Sequence, residues 1–228
     1  PMRPPGDPHP AGMWTTLIHP DPKRPLAGAV VVALDRRAIE LVVMPGTDEP
    51  KSATIPRDER PGLIPAAHHT RLVAAFNGGF RAMHGNYGMR VGARTFIPPR
   101  DIACTIAFLP DQRLTIATWS KIADSETEML AFRQTPPCLV EGGAPNPGLL
   151  HEFNRNWGAT VGGDTIIRRS AIGLSADGRH LFYALGDAVT AQSIGRAMQI
   201  GGAEAAAQLD VNYAYPRFAL VEQNALRL

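Results

Sequence analysis

Short apolar runs separated by turn residues dominate this chain. Residues 29–34 and 39–44 are apolar stretches flanking Asp35, Arg36 and Arg37, the pattern of a hairpin with a polar tip. The pattern recurs at 102–109 and 114–119 around Pro110, Asp111 and Gln112, and at 171–174 and 180–185 around Ala176, Asp177 and Gly178. A short helix is predicted over 66–72, leading into an apolar strand at 73–76 and then Asn77, Gly78, Gly79 and Phe80. Thr190 is a good N-cap for a helix that reaches Ile200 and stops at Gly201 and Gly202, with Ile194, Ala197 and Met198 at helical spacing. Residues 203–207 read as a short turn before a strand at 208–211, and 218–221 as a last strand. The Pro-, Gly- and His-rich residues 1–12 read as a loose arm, and 45–65 as a Pro-rich loop. Strands outnumber helices and many neighbours are linked by hairpins. The expected fold is therefore α+β, with one domain over 13–228 built on a mixed, largely antiparallel sheet and a few packed helices.

Composition narrows the class. The chain has 228 residues, 44% of them hydrophobic and 19% charged, enough for one sizeable core. No apolar stretch approaches the roughly 18 to 20 residues that a membrane-spanning helix needs. The formal net charge is +2 and no Lys/Arg cluster is dense enough to track a phosphate backbone, which argues against a nucleic-acid partner. Only Lys23, Lys51 and Lys121 are lysines, and the arginine bias suits forked recognition of phosphate or carboxylate. Cys104 and Cys138 lack zinc-site spacing and leave two readings open, a pair of buried thiols or a single bridge. The chain starts at Pro1 with no apolar signal core, which points to a trimmed N-terminus. Nothing in the sequence sets the oligomeric state.

Several catalytic signatures are missing: GxSxG, HExxH, the P-loop and GxGxxG after a strand. His68, His69 and His84 show no arrangement that would make them converge on a metal. Three polar groupings stand at the ends of apolar segments. They are Asn77-Gly78-Gly79-Phe80 with His84 close behind, Arg168-Arg169 before Ser170-Ala171-Ile172-Gly173, and Leu209-Asp210-Val211-Asn212. Each alone reads as a turn or a strand edge. In this combination and order the chain resembles the phosphodiester glycosidase family. That family similarly runs from an NGGF-like turn, through an R-S/T-A-I/V-G strand, to a helix and a terminal L-D segment, and the likeness covers about residues 28–222. One departure stands out: a run of glycines and serines usually follows the L-D of the family, and here it is replaced by Val211-Asn212-Tyr213-Ala214-Tyr215-Pro216.

The resemblance implies a hydrolase that cleaves a sugar-1-phosphodiester at the C–O bond in a glycan or phosphoglycan, acting outside the cytoplasm. The leaving group would be a weakly basic phosphate monoester, so a cation that stabilises developing charge matters more than a general acid. Arg169 is the expected phosphate clamp, because a guanidinium matches two phosphate oxygens. Asp210 is the expected catalytic carboxylate, with Glu141 second. Asn77 and the amides around Gly78 and Gly79 would orient the substrate, with His84, Asn212, Tyr213 and Tyr215 as further binding residues. Trp157 is a further candidate for stacking on a sugar, with burial in the core as the alternative, and Trp119, at the end of an apolar strand, is expected in the core. No cofactor is called for. Asp210 and Asn212 offer oxygens of the kind calcium or magnesium uses, but two oxygens are not a site. Two other classes stay open: a noncatalytic module that binds glycan or sugar phosphate, and a metal-dependent phosphodiesterase that cuts P–O.

Overall fold

A computed structural model describes residues 12–60, 62–151, 154–222 and 225–227. Strands are numbered along the chain. The central sheet runs in the order β1 (Met13–Ile18), β2 (Ala29–Asp35), β12 (His180–Val189), β11 (Ile167–Leu174), β13 (Ala205–Val211), β9 (Val140–Glu141) and β10 (Ala144–Pro145). A second sheet has the order β5 (Arg94–Ile97), β4 (Met89–Val91), β8 (Ala131–Thr135), β6 (Cys104–Phe108) and β7 (Leu114–Thr118). A third is built from β15 (Ala225–Arg227), β14 (Phe218–Glu222) and β3 (Ala74–Phe76). Every pairing among the described residues is antiparallel. The α+β class holds, with three sheets in place of the single mixed one.

The central sheet is covered on both faces, which explains why β11 is buried along almost its whole length. On one face lies α2 (Ala191–Gly201), whose Ile194, Ala197 and Met198 pack with Val31, Ala171, Phe182 and Ala184. Thr190 caps this helix by accepting from the Ser193 N–H at 3.0 Å, and Gly202, left-handed at φ 104°, closes it. Gly173 lets the layers approach, since a Cβ there would meet the Ala205 carbonyl at 3.0 Å and the end of Met198 at 2.5 Å. On the other face Val32, Leu34, Ile172, Leu181, Ala207 and Leu209 meet Ile106, Leu114 and Ile116 of the second sheet, with Ala74, Phe76, Phe218 and Leu220 of the third packed alongside.

The hairpins at 104–118 and 167–189 form where turn chemistry predicts them. The one expected between 29–34 and 39–44 does not form. Both edges of β2 are taken, by β1 and β12, so 39–44 has no ladder to join. Its apolar side chains Ile39, Leu41 and Val43 are satisfied by packing onto core clusters instead. The expected turn at 203–207 is also replaced, because β13 is already a strand from Ala205. The helix predicted over 66–72 is the single turn α1 (Ala66–His69). Cys104 and Cys138 are joined by a disulfide, which ties β6 of the second sheet to the segment entering β9 of the central one. Of the arm expected over 1–12, all but Gly12 lies outside the described residues.

Candidate active site

The three polar groupings, far apart in sequence, meet where β3, β11 and β13 end or pass close together. The Asp210 N–H donates to the Gly78 carbonyl at 3.0 Å, the Ser170 hydroxyl donates to the Asp210 carbonyl at 3.0 Å, and the Asn77 amide donates to the Ser170 oxygen at 2.9 Å. The Asn77 carbonyl oxygen accepts from the Tyr183 hydroxyl at 2.9 Å and from the Arg217 N–H at 3.1 Å. Tyr183 packs against the stacked rings of Phe76 and Phe218, each 5.0 Å away, and burial pushes its phenol pKa up so that it stays a donor. With its amide satisfied on both sides, Asn77 sets the direction of the glycine turn. Nothing lies within 4 Å of where a Gly78 side chain would start, so this part of the turn faces open space.

The Asp210 carboxyl is the chemically unusual group here. It is 8% exposed, and one oxygen accepts the Val211 N–H at 2.8 Å. Burial pushes its pKa up to about 6, although that N–H and the charges of His84, Arg133 and Arg81 pull the other way. Arg133 lies behind the glycine turn: a Cβ on Gly79 would stand 3.3 Å from its guanidinium carbon, so glycine is what admits the arginine. Burial lowers the Arg133 pKa to about 10, and its N–H groups donate to the carbonyls of Phe80, Tyr87, Gly88 and Gln134. Arg81 is steadied by Glu49 at 3.2 Å, which also accepts the Ala82 N–H at 2.9 Å. His84 is exposed on the turn that follows.

Other expected residues stand elsewhere. Arg169 has no exposed surface, and all five of its N–H groups are occupied. They donate to the carbonyls of Val189 at 3.2 Å, Trp157 at 2.6 Å, Gly158 at 3.0 Å and Thr165 at 2.6 Å, and to the Gln208 side chain at 3.0 Å. None is left for a phosphate, so this arginine staples the 157–165 segment to the central sheet. Glu141 is removed from Asp210: its neighbour Val140 pairs with Ala206, four residues back along β13, which is ~13 Å of strand. Burial alone would raise the Glu141 pKa, but Lys121 at 2.7 Å and the Thr118 N–H at 2.8 Å hold it below the usual carboxylate range. Glu141, the second candidate carboxylate, is therefore not paired with Asp210, the first. Trp119 and Trp157 are core residues, the first against Phe132 and the second donating to the Pro137 carbonyl at 2.7 Å.

Past Asp210 the chain turns out to the surface through Asn212, whose φ of +76° is the left-handed conformation that glycine and asparagine tolerate best. The segment that replaces the small-residue run thus keeps a glycine-like backbone at this point. Tyr213 is 61% exposed, with the Arg168 guanidinium 4.8 Å from its ring centre. Tyr215 is exposed and interacts with Arg81. Two cavities flank the junction. One of about 570 Å³ is largely apolar and bounded by Asn77, Gly78, Arg133 and the 38–44 segment. The other, of about 500 Å³, is bounded by Phe80 and His84 on one side, Val211 and Asn212 on another, and Arg100 and Arg155. Among the described residues no three His, Cys, Asp or Glu side chains group as metal ligands would, and His69 bonds the Ile64 carbonyl at 2.8 Å.

Sequence reading missed Arg81, Arg133, Ser170 and Tyr183 as members of this site. Ser170 lies inside the Arg169-to-Gly173 motif and Arg81 directly follows Phe80, so both were within reach. Arg133 carried one signal, a charge at the centre of an otherwise uncharged strand whose five residues are all buried.

A family model for phosphodiester glycosidases matches residues 70–210. The fold is similar to that of the zebrafish N-acetylglucosamine-1-phosphodiester alpha-N-acetylglucosaminidase catalytic domain, solved auto-inhibited by its pro-peptide. That match has a TM-score of 0.57 at 15% identity, over 95% of this chain and 74% of that one. It is also similar to a hypothetical protein from Synechocystis, with a TM-score of 0.60 at 11% identity, over 95% of this chain and 59% of that one. None of the curated proteins matches.

Proposed function

Because the chain belongs to the phosphodiester glycosidase family, we propose that it hydrolyses a sugar-1-phosphodiester at the glycosidic C–O bond, with Asp210 as the catalytic carboxylate. The observation that carries this reading is the Asp210 carboxyl itself. It is buried at the meeting point of all three polar groupings, with a pKa brought to about 6 and the positive charges of Arg133 and Arg81 nearby. A base with its pKa near neutrality is both ionised and able to accept a proton at working pH. In the proposed step a water oxygen bonds to the anomeric carbon as the bond from that carbon to the phosphate oxygen breaks. The phosphate ester leaves with the bonding electron pair, and the proton of the water passes to Asp210. The departing oxygen is weakly basic, so nearby cations stabilise it without a general acid. The Gly78 and Gly79 turn orients the substrate, and Asn212, Tyr213 and Tyr215 at the rim contact the sugar. The disulfide supports an extracytoplasmic site of action, since such bridges persist in oxidising compartments. Among the described residues no helix is long and apolar enough to cross a membrane.

Turnover of UDP-N-acetylglucosamine in oxygen-18 water, followed by mass spectrometry, tests both the activity and the bond cut. The expected result is label in the released sugar and none in the nucleotide, with at least a hundredfold loss in Asp210→Asn. Label in the phosphate would overturn C–O cleavage in favour of a phosphodiesterase. Saturable binding of sugar phosphates without any product would favour a noncatalytic module.

A further inference from the structure

Among its described lining residues the 500 Å³ cavity beside Asp210 has Arg100, Arg155 and His84 and no carboxylate. Its volume lies within the range of small-molecule sites. This concentration of charge is unusual in a chain whose surface arginines are mostly neutralised locally: Arg57 pairs with Asp48, Arg94 with Glu59, Arg71 with Glu40 and Arg168 with Asp187. Among the described residues neither Arg100 nor Arg155 has an acidic partner.

Both are nevertheless held in place. Arg100 donates one N–H to the Gly85 carbonyl and lies over the Tyr87 ring, 5.6 Å from its centre. Arg155 opens the short 3₁₀ turn Arg155–Trp157, which Asn154 caps by accepting the Asn156 N–H at 2.9 Å. Its guanidinium rests against Gly163, where any side chain would displace it. The turn is fixed in its turn by Arg169, which bonds the carbonyls of Trp157 and Gly158. The motif arginine expected to hold a phosphate is thus a positioning residue for the wall that carries another arginine. Two arginines line one partly enclosed space with no carboxylate among its described lining residues, and a bound dianion matches both their charge and their forked N–H geometry.

We propose that this cavity is a phosphoryl subsite in which Arg100 and Arg155 hold the phosphate on the leaving side of the substrate. The assignment rests on the hydrolase reading above only for what the phosphate is attached to. The anion site itself follows from the charges and their placement. It makes Arg100 and Arg155 the residues that select anionic leaving groups over neutral alcohols.

Calorimetric titration of the full chain with inorganic pyrophosphate, at low and at elevated salt, tests the site without needing turnover. Saturable binding that weakens with salt is expected, with a roughly hundredfold loss in the Arg100→Gln/Arg155→Gln double variant and retention in Asp210→Asn. The Arg100→Lys/Arg155→Lys variant, which keeps the charge without the fork, is expected to recover part of the affinity. No saturable binding by the wild type, or equal affinity in the Gln double variant, overturns the subsite. The two readings fail separately. Pyrophosphate binding that depends on the arginines, with no sugar released from any phosphodiester, leaves the subsite standing and removes the hydrolase. Hydrolysis with KM unchanged in the Gln double variant does the reverse.

Discussion

Asp210 has contacts on its main chain from two directions, yet among the described residues only one hydrogen bond to its carboxylate, from Val211. Its ionised form is therefore supported less than its burial demands, and the pKa sits near 6 where an exposed aspartate titrates near 4. Two outcomes follow from the sign of that shift. Turnover measured as kcat/KM against pH is expected to fall as the pH drops through about 6, when the base is protonated. Stability moves the other way. The folded pKa is raised, so the folded state binds more protons than the unfolded one between about pH 4 and 6, and the protein loses stability as pH rises through that window. Asp210→Asn removes the buried charge. It is expected to be more stable than the wild type at pH 7.5 by on the order of 2 to 3 kcal/mol, with the gain vanishing below about pH 4 in denaturant titrations. Arg169 gives the opposite case. Arg169→Ala removes the donor to the Val189, Gly158 and Thr165 carbonyls and to the Gln208 side chain, and one of two donors to the Trp157 carbonyl, and is expected to cost about 4 kcal/mol by urea unfolding. Arg169→Lys is expected not to rescue it, because an ammonium has three donors on one atom and cannot span partners on both sides.

At the scale of elements, the site is a consequence of strand order. β11 lies between β12 and β13, and its register shifts against both of them around Arg169. Ser170 can therefore reach the end of β13 while β3, in another sheet, delivers the glycine turn from the far side. The segments that carry this arrangement were readable wherever local chemistry decides. Asp177-Gly178 marks one hairpin, and Thr190 with Gly202 brackets α2. Where the partner strand decides, they were not. The apolar residues of 39–44 look like a strand but face a sheet whose edge is already occupied. The Cys104–Cys138 bridge joins two sheets across a sequence separation of 34. In the loop-entropy account this is worth about 3 to 4 kcal/mol. Reduction under otherwise native conditions is expected to lower the unfolding midpoint by several degrees in a calorimetric scan, and Cys104→Ala/Cys138→Ala to reproduce the shift.

For the whole molecule, charge is nearly balanced and many surface arginines are neutralised pairwise, and the cavity with Arg100 and Arg155 is one place where, among the described residues, they are not. A net charge of +2 hides that asymmetry, which arises only when residues 100 and 155 are brought to one wall by different loops. What the sequence by itself determined is the set of features that depend on a few consecutive residues. These are the α+β class, the hairpin turns, the capped helix and the three polar groupings that identify the family. They depend on φ, on side-chain alternation and on capping donors, all local quantities. Which arginine is free and which is structural was decided only by the tertiary structure. Arg169 and Arg155 are chemically identical, and their roles differ because one is enclosed among five acceptors while the other lines a cavity with no carboxylate among its described lining residues. The separation of Glu141 from Asp210 is of the same kind. Strand register, set by the packing of layers over the whole chain, controls which side chains share a space.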